Sequence, residues 1–103
     1  MYIITLTCEL DSTCFSSKVL GVFNSDAAAF RFMEKYDVLS MIQENMTVPM
    51  VQDGGIRKEM FTDEETGYAV YSETRYFVEK GCDRHSENKA TATALMTITE
   101  ITQ

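Results

Sequence analysis

The chain reads as a single α+β domain: one antiparallel β-sheet, laid out as β-β-α followed by a β-meander, with one helical segment packed on one face. Three features of the sequence predict this. Apolar and polar residues alternate with period two near both ends, helix formers with capping side chains gather after residue 24, and turn-forming clusters separate the β-prone runs. A length of 103 residues suits one hydrophobic core. With 45% hydrophobic and 24% charged residues, the composition is that of a folded globular chain rather than a disordered one.

The first strand covers residues 2–10, with Tyr2, Ile4, Leu6, Cys8 and Leu10 on one face and Ile3, Thr5, Thr7 and Glu9 on the other. The turn-rich stretch 11–17, DSTCFSS, leads into a second β run at 18–23, so the pair forms an antiparallel hairpin. Asn24, Ser25 and Asp26 supply capping oxygens ahead of Ala27, Ala28 and Ala29. Ala29, Phe30, Met33 and Tyr36 then follow helical spacing, with Phe32 at the edge of the stripe. Val38, Leu39, Ile42 and Met46 continue at helical offsets, and Asp37 either caps a second short helix or bends the first. Pro49 and the Asp53-Gly54-Gly55 turn end the helical region and leave 48–52 as a candidate edge strand.

The runs 56–62 and 67–79 flank Asp63, Glu64, Glu65 and Thr66 and read as a β-hairpin. Alternation slips between Tyr71 and Tyr76, which predicts a bulge or a bend. After the polar loop 80–88, the run 89–102 carries the clearest strand pattern. Ala90, Ala92, Ala94, Met96 and Ile98 line one face, while Thr91, Thr93, Thr97 and Thr99 line the other. The small alanines leave room for the aromatic side of the helix around Phe30.

Sixteen acidic residues against nine basic ones give a net charge of -7, which opposes direct contact with nucleic acid or an anionic membrane. The same charge favours a protein partner with a basic surface. No apolar run reaches the length that spans a bilayer, and the N-terminus lacks the early positive charge of a targeting segment. Three cysteines cannot pair completely within one chain, so the reducing cytoplasm is the expected location.

Cys82 and His85 stand at Cys-x-x-His spacing, and Cys8 with Cys14 would complete four soft ligands if the first hairpin lay beside that loop. Against this, Cys8 belongs to an apolar strand face and the remaining spacings match no familiar zinc module, so no metal and no cofactor is expected. A nucleophilic Cys82–His85 pair oriented by Asp83 or Glu87 requires a geometry that a short polar loop rarely holds. Glu9, Asp11, Glu59 and Glu79 fall with the other carboxylates on strand arms and turns, where solvation is the usual fate. Met41, Met46, Met50 and Met60 gather around the middle segment and suit either an irregular core or an adaptable binding face. The rings of Phe61, Tyr68, Tyr71, Tyr76 and Phe77 pose the same choice.

The opening MYIITLT, followed by KVLGVFNSDAAAFRFMEKY, resembles that of many short phage and bacterial proteins: a strand, a strand ending Gly-x-Phe-x-Ser, then a helix. In size, acidity and lack of a catalytic motif the chain also resembles the small acidic phage proteins that inhibit host machinery, including restriction and CRISPR effectors. That resemblance implies an inhibitor and transfers no functional residues.

The function expected is therefore a non-enzymatic protein-binding module that engages a basic or nucleic-acid-handling protein through acidic and aromatic surface on the 56–79 hairpins. Asp63, Glu64, Glu65, Tyr71, Glu73 and Tyr76 are the candidate binding residues, combining aromatic anchors with complementary charge. Two rival readings stand beside it. One is a homo-oligomeric assembly protein, in which the 89–102 strand pairs edge to edge or its threonine face stacks on a copy. The other is a small enzyme or metal-dependent regulator using Cys82 and His85.

Overall fold

Alternation at the two ends of the chain turns into pairing between them. A computed structural model describes residues 1–11, 13–83 and 85–101, with the backbone alone at 14 and 15. Its elements run β1 (Tyr2–Leu10), β2 (Thr13–Phe23), α1 (Asp26–Lys35), α2 (Val38–Glu44), β3 (Met50–Gln52), β4 (Arg57–Thr62), β5 (Ala69–Glu79) and β6 (Thr91–Glu100). All six strands join one open antiparallel sheet in the order β2-β1-β6-β5-β3, with β4 also on β5. The first and last strands are neighbours, and the Ile101 amide donates to the Met1 carbonyl at 2.8 Å. No helix among the described residues is long and apolar enough to cross a membrane.

Strands β3 and β4 share one lane. Met50–Gln52 pairs with residues 77–79 of β5 and Arg57–Thr62 with residues 69–74, both on the side of β5 away from β6. The lane breaks at Asp53-Gly54-Gly55, where Gly54 takes a φ of 80° that a side chain would resist. The meander expected after the helical region therefore consists of β4, β5 and β6, with β3 extending the β4 lane.

Register explains the core. Ile4 faces Ile98, Leu6 faces Met96, Cys8 faces Ala94 and Phe77 faces Ala92, so these side chains share one side of the sheet. They are buried in one cluster with Ala29 and Met33 of α1 and Val38 and Ile42 of α2. Met50 is buried there too, with Met41 and Met46 partly buried against it, so the methionine group divides: these three serve the core and Met60 is exposed. On the opposite side hydroxyl side chains bond across the strands. Thr5 Oγ1 and Thr97 Oγ1 share a hydrogen bond, and Thr7 Oγ1 lies 3.3 Å from Ser17 Oγ.

Several expectations change. The second strand begins at Thr13 rather than residue 18, because the reversal needs little more than Asp11 at a φ of 49°, and small hydroxylic residues are tolerated on an edge strand. Ser12 of the expected turn, Arg84 of the polar loop and Thr102 of the expected last strand lie outside the described residues. Of the two readings of Asp37 the cap holds: the helical segment is two helices, since the chain is extended at Tyr36 and Asp37 caps α2 by accepting from the Ser40 amide at 3.0 Å. No bulge interrupts β5, whose pairing with β6 runs without a slip from Ala69 to Val78; the register shifts fall instead between β1 and β2. Helix α1 touches β6 as expected, while the ring of Phe30 packs edge-on against Tyr71 of β5, 4.8 Å between centroids. Strand β6 is an inner strand paired on both sides, so it has no edge to offer a second copy.

The α2 cap makes stability depend on pH. Asp37 also accepts from the Ser40 hydroxyl at 2.7 Å, and this bond, followed by that from the Ser40 amide, holds its carboxyl below the ordinary 3.8. A depressed carboxylate stabilises the fold above its unfolded-state pKa and loses that contribution as pH falls through the folded value. The melting temperature of the wild type is expected to exceed that of Asp37→Asn at neutral pH, with the gap closing as pH falls below 3.8. A gap constant throughout the acid range contradicts the assignment.

Candidate functional site

Strand β5 places Tyr71, Glu73, Arg75 and Phe77 on the same side as the core, opposite Ile98, Met96, Ala94 and Ala92 of β6. Two charged side chains thus stand in a row that alternation would fill with apolar ones. Glu73 is only 8% exposed, and its Oε2 lies 4.0 Å from an Arg75 guanidinium nitrogen. The Arg75 Nε is buried and has no acceptor among the described residues. Burial raises the Tyr71 hydroxyl above its ordinary 10.0, the charge of Glu73 and a hydrogen bond to it add to the rise, and Arg75 opposes it.

Tyr71, Glu73 and Arg75 form the floor of a groove. Helix α1 packs mainly on β1, β2 and β6 and α2 on β3, which leaves the β4 half of the sheet without a helix over it. The resulting cavity of about 400 Å³ has Phe30, Met33 and Glu34 of α1 along one wall and Ile56 and Lys58 along the other. A smaller pocket of about 140 Å³ shares Phe30 and Tyr71 and is edged by Tyr2, Asp26, Met60 and Glu100. There the Tyr2 hydroxyl donates to Glu100 Oε1 at 3.5 Å, and its pKa is raised by burial and then by the charges of Glu100 and Asp26. Around the two pockets, apolar side chains open to solvent stand beside Glu34 and Lys58: Met60 is 80% exposed, Phe30 41% and Ile56 37%.

The six candidate binding residues do not form one surface. Tyr71 and Glu73 come together on the groove floor. Asp63, Glu64 and Glu65 lie at the β4–β5 turn, where Asp63 Oδ1 accepts from the Glu65 amide at 2.9 Å and Gly67 takes a φ of 75°. Glu64 and Glu65 are exposed. Tyr76 faces the other side of the sheet, opposite Thr93. Glu73, expected among the solvated carboxylates, is buried because its position in β5 points it under the groove. Sequence reasoning missed Arg75, Phe30, Ile56 and Lys58 as members of a site. The signal was present in the slip of alternation, which arises from two charged residues standing in phase with Tyr71 and Phe77.

Cys8 is buried in the core, and Cys82 is half-buried with its thiol donating to Glu79 Oε2 at 3.8 Å. His85 is exposed in the β5–β6 loop, where its backbone amide donates to Asp83 Oδ1 at 2.8 Å. The Cys14 side chain lies outside the described residues. Among the described residues, no group of three or more His, Cys, Asp or Glu is arranged to hold a metal ion. No family model, curated protein or solved structure matches the chain.

Proposed function

We propose that the chain is a non-enzymatic protein-binding module that takes a segment of a basic partner protein into the groove between α1 and the β4–β5 hairpin. The observation that carries this reading is the Glu73–Arg75 pair, set 4.0 Å apart in a groove lined also by Phe30 and Ile56. A buried ion pair seldom stabilises a fold more than well-packed apolar residues of the same volume would. The buried Nε without an acceptor costs about 1–3 kcal/mol more. Such a pair earns its place by offering a donor and an acceptor to an occupant, while Phe30, Ile56 and Met60 supply apolar anchor positions.

The net charge of -7 selects the partner's chemistry. Glu34 lies in the groove wall, Asp26 and Glu100 edge the smaller pocket, and Glu64 and Glu65 extend from the adjacent turn, so a basic surface is drawn to this end of the molecule. An inhibitor that occupies a basic surface of host machinery fits this description. Tyr71 and Glu73 then contact the partner, Asp63, Glu64 and Glu65 steer it, and Tyr76 on the far side of the sheet is dispensable.

Affinity capture from the native host with wild type, Phe30→Ala and Tyr76→Ala tests the placement. Phe30→Ala is expected to weaken retention of the partner at least tenfold, as loss of an aromatic anchor does, and Tyr76→Ala to leave it unchanged. The opposite pattern overturns the placement.

A further inference from the structure

The two edges of the sheet are built differently. On β2 the pairing with β1 is interrupted twice, at Ile4/Thr5 and at Cys8/Glu9, and bulges of this kind spoil an edge as a template for another strand. On β4 the register is unbroken from Arg57 to Thr62, and all six residues are exposed. The Asp63 amide donates across to the Tyr68 carbonyl at 2.9 Å. Since antiparallel hydrogen bonding alternates, Arg57, Glu59 and Phe61 turn their backbone groups toward β5, while Lys58, Met60 and Thr62 turn theirs outward.

Charge along this edge is polarised. Arg57 and Lys58 stand at its start, where Glu59 pairs with Arg57 at 2.6 Å, and Asp63, Glu64 and Glu65 follow its end. A parallel copy would set like charges side by side, whereas an antiparallel copy sets basic start against acidic end. One antiparallel register, centred on Met60, places Met60 against Met60, Lys58 against Thr62 and Arg57 against Asp63. It pairs all three outward-facing residues, through about six inter-chain hydrogen bonds.

We propose that β4 pairs with β4 of a second copy about a two-fold axis at Met60, joining two sheets into one continuous sheet. The axis runs perpendicular to the sheet, because opposed residues share a face, so both grooves open on the same side. This goes beyond the proposed function and does not rest on it: a monomer that still captures its partner removes the dimer alone.

Sedimentation equilibrium from about 1 to about 300 µM is the test. The wild type is expected to approach twice the chain mass, with concentration-dependent protection of the Lys58, Met60 and Thr62 amides from hydrogen exchange. Met60→Lys sets two ammonium groups against each other on the axis at a position 80% exposed, so it leaves the fold intact and weakens the dimer at least tenfold. Met60→Pro removes the outward donor without a bond to β5 and does the same, with circular dichroism reporting the fold. Arg57→Glu, which opposes Asp63 with a like charge, weakens it about tenfold. A wild type that stays monomeric throughout, protection confined to β2, or a dimer indifferent to Met60→Lys each overturns the proposal.

Discussion

Replacing Phe77 by alanine is expected to destabilise the chain by about 3–5 kcal/mol, a large part of the total for a domain of this size. Phe77 is 1% exposed, faces Ala92 across the β5–β6 pair, and shares the core cluster with Met50, Val38 and Ile42. Ala92 and Ala94 keep their side chains small, so the ring fills volume that the facing strand leaves empty. Truncation opens a cavity that residues held in hydrogen-bonded strands cannot collapse into. Phe77→Leu retains most of the buried area and is expected to cost less than half as much. Urea unfolding at neutral pH measures both, and a loss under about 1 kcal/mol for the alanine variant contradicts the placement of the ring.

The second large effect concerns the pair beneath the groove. Arg75→Met removes the guanidinium that pairs with Glu73 and leaves a carboxylate 8% exposed, with Lys58 opposite it on β4 as the remaining cation, which is expected to cost about 2–4 kcal/mol. Tyr71 reports on the same change. Arg75 is the neighbour that lowers its pKa, so the variant's phenolate should form at higher pH than the wild type's, as read by ultraviolet titration. Removing both charges reverses the loss. Glu73→Met with Arg75→Met leaves no buried charge and no orphaned Nε, and the double variant is expected to be at least as stable as wild type. A double variant clearly less stable than wild type shows that the pair holds the fold together.

Much of this architecture is legible in the sequence where one physical demand governs a whole strand face. Tyr2–Leu10 and Thr91–Glu100 alternate cleanly because one face meets the core and the other meets water. The start of β2 was hidden because serine and threonine on an edge strand look like a turn. The boundary between α1 and α2 was ambiguous because Asp37 serves a bend and a cap equally well. The shared lane of β3 and β4 is a matter of pairing with β5 across long stretches of chain, which no local pattern encodes.

The groove was legible only as an irregularity. Alternation in β5 fails at Glu73 and Arg75, and a bulge is the economical reading of such a failure when the partners are unknown. Register shows instead that the strand keeps its pairing and that the residues themselves are the exception. Local rules of this kind break where a site is built, because a surface shaped for a partner is not the one that best stabilises the isolated chain. The acidic turn was visible from composition, but Phe30 and Ile56 come to the same place only through the packing of α1 and the path of the lane.

Binding of the captured partner by the Glu73→Met/Arg75→Met variant, alongside wild type and at matched melting temperature, bears most directly on what the groove is for. Affinity at least tenfold weaker in a protein as stable as the wild type is the expected result. Equal affinity would mean that the buried charges take no part in recognition and that contact is made elsewhere on the molecule.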